Sequence, residues 1–420
     1  MNNTKTETNY IMPFITMVIL LSLVGFITVI NQQFQAPMQA AFLKEAGDLK
    51  NTLATVITFS FFLAYLVMGG VSAKSLIKNG YRGTLIRGLI ILIGAFMVFE
   101  LSAFQFEQSG GSNSTLGNIT IPHAYFIFIL GSFVAGTGLT FLQSAVNPYL
   151  VACDVKGTSD VQRQTIAGAG NSMMTTIAPI FVGSVIFQNE TEIQISSLYI
   201  PFAVLIAVVA VLAFTLARLH LPEIASVSSN KEDRLPHSVW SFSHLALGVV
   251  AIFIYVGVEV AVGANIVMYA KDLGGSFAEK ATFMASLYWG GMLVGRLFGS
   301  FVSKIPANTQ LLFTSIAAGL LVLASIITAN PWLLVGMGLF HSIMWPAIFP
   351  LAIEGLGKYT SKASGALMMG VVGGAIFPLV QGIMADTMGG WEWTWILVAV
   401  GEVYLLYYAL AGHKVKKRVD

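Results

Sequence analysis

The chain has 420 residues, of which 56% are hydrophobic and 10% charged, and its net charge is +2. A soluble globular domain carries about a quarter charged residues, so there is too little polar surface here to cover one soluble core. The basic residues are scattered between apolar runs, which excludes a nucleic-acid-binding face, and the single Cys153 excludes an internal disulfide or a cysteine metal framework.

The chain opens with a polar tail over 1–10, MNNTKTETNY. The apolar run that follows has no small-residue cleavage site, so it reads as a first membrane span rather than a removed signal peptide. A transmembrane helix needs about 20 mostly apolar residues. By that measure the spans fall at 11–36, 52–74, 84–104, 122–153, 164–187 and 197–219 in a first half (11–219). A polar linker follows over 220–239. The second half (240–412) carries 240–270, 281–303, 308–328, 331–353, 362–385 and 391–412, and a tail occupies 413–420. The expected fold is an all-α membrane protein of twelve transmembrane helices in two six-helix halves. Several spans exceed the bilayer's need, which predicts tilt or extension beyond it.

The placement of Lys and Arg sets the orientation. With both termini inside, only Lys44, Lys50, Lys271 and Lys280 of the 22 basic residues fall outside, leaving 18 inside. Both ends are therefore expected to be cytoplasmic, in a plasma membrane or a bacterial inner membrane. The 105–121 loop is then external, with sequons at Asn113 and Asn118.

The halves resemble each other. GTGLTFLQSAVNPYL from Gly136 and GMGLFHSIMWPAIFP from Gly336 align Gly138 with Gly338 and Leu139 with Leu339, while Pro179 and Pro378 keep nearly the same offset. A repeated six-span unit with a solute site at the repeat interface is a common transporter plan. These features predict a major-facilitator architecture with pseudo-symmetric halves.

Polar residues inside the spans face other helices or a wet cavity, because an unpaired amide in hydrocarbon costs a few kcal/mol. Helix–helix adhesion is the plain reading of any one of them. Density favours a site: Asn31, Gln32, Gln33 and Gln35 end the first span, Gln143 and Asn147 lie one turn apart in the fourth, and Asn171 lies in the fifth. An amide both donates to and accepts from a hydroxyl, which suits a neutral polyhydroxylated ligand. In the second half Tyr255 and Glu259 lie one turn apart, as do His341 and Trp345, and Gln381 follows Pro378. Membrane-embedded Glu259 is a functional candidate by position, and Trp345 beside a polar group can stack on a sugar ring or simply pack. Glu402 reads as structural and Arg296 as one half of an inter-helix ion pair. The pairs Gly69–Gly70, Gly290–Gly291 and Gly373–Gly374 predict close helix approach. No phosphate-binding loop, HExxH or nucleophile–base pair is present, so an enzyme is not expected.

FITVINQ, FLQSAVNPY, NSMMTTIAP, IYVGVEVAVGAN, LYWGGMLVGR and above all the stretch 338–382 resemble the fucose–galactose–glucose:proton symporter family, in particular its glucose/galactose branch. The resemblance implies a hexose importer that works by alternating access on a cation gradient. It places Asn31, Gln143, Asn147 and Asn171 toward the sugar and matches Glu259 to an acidic position. Three departures stand out against the family's usual residues: Asn31-Gln32 for Asn-Asp, Ala167-Gly168 for Ala-Gln, and Phe340-His341-Ser342 for Phe-Asn-Ser. Gln32 cannot titrate. That leaves Glu259 or His341 as proton carrier, or sodium held by oxygens with Gln143 and Asn147 as further candidates, or an uncoupled facilitator. The expected substrate site is Asn31, Gln32, Gln143, Asn147, Asn171, Tyr255, Glu259, His341, Trp345 and Gln381. No cofactor is expected beyond a sodium ion, and the unit of function is a monomer. A carrier of another small polar or amphipathic solute is the competing reading, and the seven first-half amides count against an apolar cargo.

Overall fold

The structure, a computed structural model, describes residues 10–108, 113–116, 119–153, 155–158, 160–188, 193–219, 221–222, 238–299 and 305–415. Most of the amino-terminal tail, most of the linker with Lys231 and Arg234, the Asn118 sequon, Lys304 and the last five residues lie outside the described residues.

In lipid every backbone polar group must bond within its own segment, so apolar runs of this length fold as helices. Ten helical runs among the described residues are long and apolar enough to cross a membrane. In chain order the first half holds α1 (Ile11–Gln33), α2 (Gln35–Phe42), α3 (Lys50–Gln108), α4 (His123–Ala152), α5 (Asp160–Ile180) and α6 (Tyr199–Arg218). The second holds α7 (Ser243–Leu273), α8 (Gly275–Glu279), α9 (Ala281–Gly299), α10 (Ala307–Thr328), α11 (Trp332–His341), α12 (Met344–Ile353), α13 (Thr360–Met369), α14 (Gly373–Met388) and α15 (Ile396–Tyr407). Outward-facing Ile200 and Ile327 are 78% and 83% exposed, as side chains meeting lipid must be.

α3 is a helical hairpin. Gly80 at φ 65° reverses it, and Ser75 Oγ then lies 3.1 Å from Thr84 Oγ1 and 3.2 Å from Arg87 Nη1. A straight helix would separate residues twelve apart by about 18 Å. The two spans expected at 52–74 and 84–104 are thus its two arms.

Three spans are broken, the first two where polar or titratable residues gather and the third in a glycine-rich stretch: α1 gives way to α2 at Phe34, α11 to α12 after His341, and α13 to α14 across Gly370–Val372. Discontinuous helices of this kind expose main-chain groups at solute sites.

Among the described residues the expected all-helical chain has one exception. Residues Asn113–Leu116 (β1) and Ile119–Pro122 (β2) pair antiparallel, with Ser114 opposite Ile121 and Thr115 opposite Thr120. The β-branched Thr115, Ile119, Thr120 and Ile121 favour this ribbon over helix.

The internal repeat has a direct structural counterpart. A Cβ at Gly138 would lie 2.9 Å from the carbonyl oxygen of Gly88, and one at Gly338 would collide with the carbonyl of Tyr288. Both glycines and both carbonyls are 200 positions apart, so each half clamps the same two helices at the same point. Of the glycine pairs read as close approaches, Gly373–Gly374 and Gly291 are tight. Gly69 and Gly70 have nothing within 4 Å of a built Cβ, so they face open space on the outside of α3 and that expectation is corrected.

Candidate functional site

Two seams join the halves. Along the first, α3 meets α14: a Cβ at Gly382 would sit 2.9 Å from the Asn51 carbonyl, and one at Gly374 would sit 3.1 Å from Phe62. At its end Asp386 accepts the backbone N–H groups of Asn51 and Thr52, and the Trp391 indole donates to Asn51 Oδ1 at 3.2 Å. Along the second seam, α5 meets α9. Arg296 donates to Ser172 Oγ at 2.5 Å, and Ser286 Oγ donates to the Thr176 carbonyl. Arg296 was expected in an inter-helix ion pair; its hydrogen bond goes to a hydroxyl of the other half, with Glu259 as the nearby carboxylate. Between the seams α1 touches α7, where Gln33 Nε2 donates to the Gly263 carbonyl at 3.0 Å.

Within this interface the first half presents an amide on an aromatic bed. Gln143 Nε2 donates to Tyr65 Oη at 2.8 Å, and Tyr65 stacks on Phe62 with centroids 5.9 Å apart. Asn147 is half-buried one turn further along α4. The second half answers with Tyr255, whose ring lies 6.3 Å from that of Trp345, and Trp345 in turn stacks on Phe349 at 6.3 Å. Glu259, half-buried, lies beside the Tyr255 hydroxyl. Gly374 packs at the junction, its Cβ position 3.1 Å from Phe62 of the first half and 3.1 Å from Val260 of α7. Amides, a phenol and a carboxylate among flat rings can hold a neutral ligand that has several hydroxyls and an apolar face.

The remaining expected residues fall in different places. Gln32 is 1% exposed, and neither its amide nitrogen nor its oxygen has a partner. Two sealed and unbonded amide atoms are costly. The Trp289 indole nitrogen is a second orphan nearby: its ring lies against Gly263, the residue that Gln33 bonds. Asn31 donates to Ser132 Oγ at 2.8 Å and keeps an unpartnered oxygen. Asn171 donates to the Leu21 carbonyl at 2.8 Å and sits tightly over Gly25, so it ties α5 to α1. Gln381 is buried, accepts from Asn265 and reaches Thr394, which places it in the packing of α7 against α14. His341 is fully buried behind Tyr255, between Tyr288 and Glu402. Glu402, read as structural, is its partner. No group of three or more metal-ligating His, Cys, Asp or Glu residues is present among the described residues.

Sequence reasoning did not single out Tyr65, Tyr288, Trp289 or Ser132. Tyr65 was reachable, since it sits one turn after Phe61 in the apolar run FFLAY. The others look like packing residues until their partners across the bundle are known. At Gly168, where the family usually carries glutamine, a Cβ would meet open space, so a long side chain has room there.

Fold and interface together define a multi-pass integral membrane protein of major-facilitator type, and the sequence matches the Major Facilitator Superfamily over residues 21–371. The chain is 31% identical to a glucose/galactose transporter of Brucella abortus biovar 1 (strain 9-941), covering 98% of this chain and 96% of that one. It is 25% identical to the L-fucose-proton symporter of Escherichia coli (strain K12), covering 91% and 88%. The chain belongs to the major facilitator superfamily and, within it, to the fucose–galactose–glucose symporter family. Solved structures agree on the fold. The major facilitator transporter FucP in its outward conformation superposes with a TM-score of 0.64 at 22% identity over 96% of this chain and 98% of that one. The inward-open xylose transporter XylE from E. coli gives 0.72 at 13% identity over 97% of each chain.

Proposed function

We propose that this protein imports a hexose of the glucose, galactose or fucose class by alternating access, coupled to a proton or sodium ion. It does so as a monomer of twelve transmembrane helices with both termini in the cytoplasm. The two arms of α3 and the nineteen-residue α9, added to the other nine apolar runs, supply the twelve. The basic-residue bias supports the orientation. The observation that carries the reading is that each half contributes a polar group on aromatic rings, Gln143–Tyr65–Phe62 in the first and Glu259–Tyr255–Trp345 in the second. Hydroxyls of a pyranose would exchange water for the amides and carboxylate, while its apolar face covers a ring. The names of the relatives point to the same solute class.

In this orientation the bonds at Asn51, Thr52, Gln33 and Trp391 seal the outer side, and sugar leaves inward. The neutral Gln32 favours a coupling group in the second half or a sodium ion over a carboxylate in the first span. Labelled glucose and galactose uptake into proteoliposomes tests the proposal, with a pH gradient and a sodium gradient imposed separately. Accumulation above equilibrium on either gradient is the expected result. Equilibration alone identifies a facilitator, and the absence of any hexose movement refutes the substrate class.

A further inference from the structure

We infer that His341 and Glu402 together form a proton-binding site in the second half, read out to helix α7 through Tyr288. Its coupling role rests on the transport reading above; the proton site itself does not.

The hydrogens available to three linked contacts fix the protonation of the pair. Tyr288 Oη lies 3.1 Å from the carbonyl oxygen of Glu259 and 2.8 Å from His341 Nδ1, and His341 Nε2 lies 2.9 Å from Glu402 Oε1. His341 is 0% and Glu402 1% exposed, and Glu402 Oε2 has no partner. A carbonyl only accepts, so when Tyr288 bonds Glu259 its single hydrogen points there. His341 Nδ1 must then carry a hydrogen and donate it to the phenol oxygen. The contact between Nε2 and Oε1 requires one more proton, on the ring as imidazolium or on the acid. Without it two lone pairs face each other in a dry site. All three contacts therefore coexist only when the pair is loaded.

Unloading sends one proton to water as hydronium and takes the pair from neutral to a single negative charge. The ring hydrogen then belongs on Nε2, facing the carboxylate, and Nδ1 becomes an acceptor. Tyr288 must turn its hydrogen from the Glu259 carbonyl to Nδ1. Loss of the proton thus releases a bond to α7 at the residue placed beside the sugar. The geometry is held firmly, because Gly338 clamps α11 against the carbonyl of Tyr288 three residues before His341.

The groups around the pair are few. α7 contributes Tyr255 and Glu259, α9 contributes Tyr288 and Arg296, and α15 contributes Glu402 itself. α10, which also packs on α11, has no ionisable residue. Arg296 is the cation near Glu259, and the His341–Glu402 pair is the contact among these groups that needs a shared proton to form.

The test uses purified full-length protein and two readouts. In the absence of sugar, difference infrared spectra are recorded from acid to alkaline pH on wild type, Glu402→Gln and His341→Asn. A carboxyl and an imidazole signal that titrate together in wild type and vanish in both variants are expected; identical spectra in all three overturn the site. In proteoliposomes, Glu402→Gln, His341→Asn and Tyr288→Phe should each retain sugar exchange and lose accumulation on a pH gradient. Wild-type accumulation by Glu402→Gln, or by His341→Asn should the first variant not fold, overturns the coupling. So does wild-type accumulation on sodium alone. If wild type moves no hexose, the substrate reading falls, and the infrared titration still decides the proton site.

Discussion

Asp386 of α14 accepts the backbone N–H of Thr52 at 2.7 Å and that of Asn51 at 3.0 Å, so a carboxylate of one half caps a helix of the other. The first N–H groups of a helix have no partner inside it, and the helix dipole favours negative charge there. In the alternating-access cycle proposed above the two halves part on this side, and the cap then acts as a latch.

Replacing Asp386 with alanine should weaken the sealed state by about 1 kcal/mol, the usual worth of a cap. That is roughly a fivefold shift in the balance between sealed and parted states. Spin labels at the exposed positions Glu45 and Glu279 would report it as a larger population at long distance. An unchanged distance distribution would show that the latch contributes nothing to the equilibrium.

Tyr65→Phe and Gln143→Ala break the same hydrogen bond in the aromatic bed. Each should weaken hexose binding by roughly 5–10-fold, on the order of one hydrogen bond. Calorimetric titration of the purified variants checks this, and binding equal to wild type in both would remove the pair from the site.

Asn171→Ala behaves differently, because its amide is spent on the Leu21 carbonyl. The variant should lose about 1 kcal/mol of stability while hexose affinity falls less than in Gln143→Ala. Thermal unfolding measured beside the titration separates the two effects, and the reverse order would return Asn171 to the sugar.

Gly168→Gln should fold as well as wild type or better, since glutamine favours helix over glycine by about 0.5–1 kcal/mol and the position is open. Its added amide should alter the ranking of competing sugars in uptake assays. An unchanged ranking would place residue 168 away from the solute path.

Gly338→Ala puts a methyl group into the Tyr288 carbonyl and should cost about 1–3 kcal/mol through overpacking. Gly69→Ala, in open space, should be neutral or stabilise by about 0.5–1 kcal/mol. Melting temperatures of the two variants in one detergent decide the comparison.

The architecture was legible because hydrocarbon leaves the backbone few options: runs of apolar residues had to be helices, and Gly138 and Gly338 announced the repeat. Gln143 and Asn147 were legible for the same reason, as polar groups with no purpose in lipid. Roles were less legible. Asn171 and Gln143 look alike in the sequence, and only the carbonyl of Leu21, about 150 residues away in the chain, distinguishes them. Glu402 was read as structural because its partner His341 lies on another helix, and nothing local to either residue reveals the contact. The ribbon at 113–122 was missed because two short strands in a loop leave almost no periodic signal.

The hydrogen bonds across the two seams are unequal in kind. Asp386 reads the main chain at Asn51 and Thr52, Gln33 reads the main chain at Gly263, and Ser286 reads it at Thr176. Among the described residues, Arg296 with Ser172 and Trp391 with Asn51 join one side chain to another. A main-chain acceptor or donor is the same whatever residue supplies it. Most of this interface can therefore tolerate drift on one side without a compensating change on the other. A search for co-varying positions would find the interior of each half readily and pass over much of the junction between them.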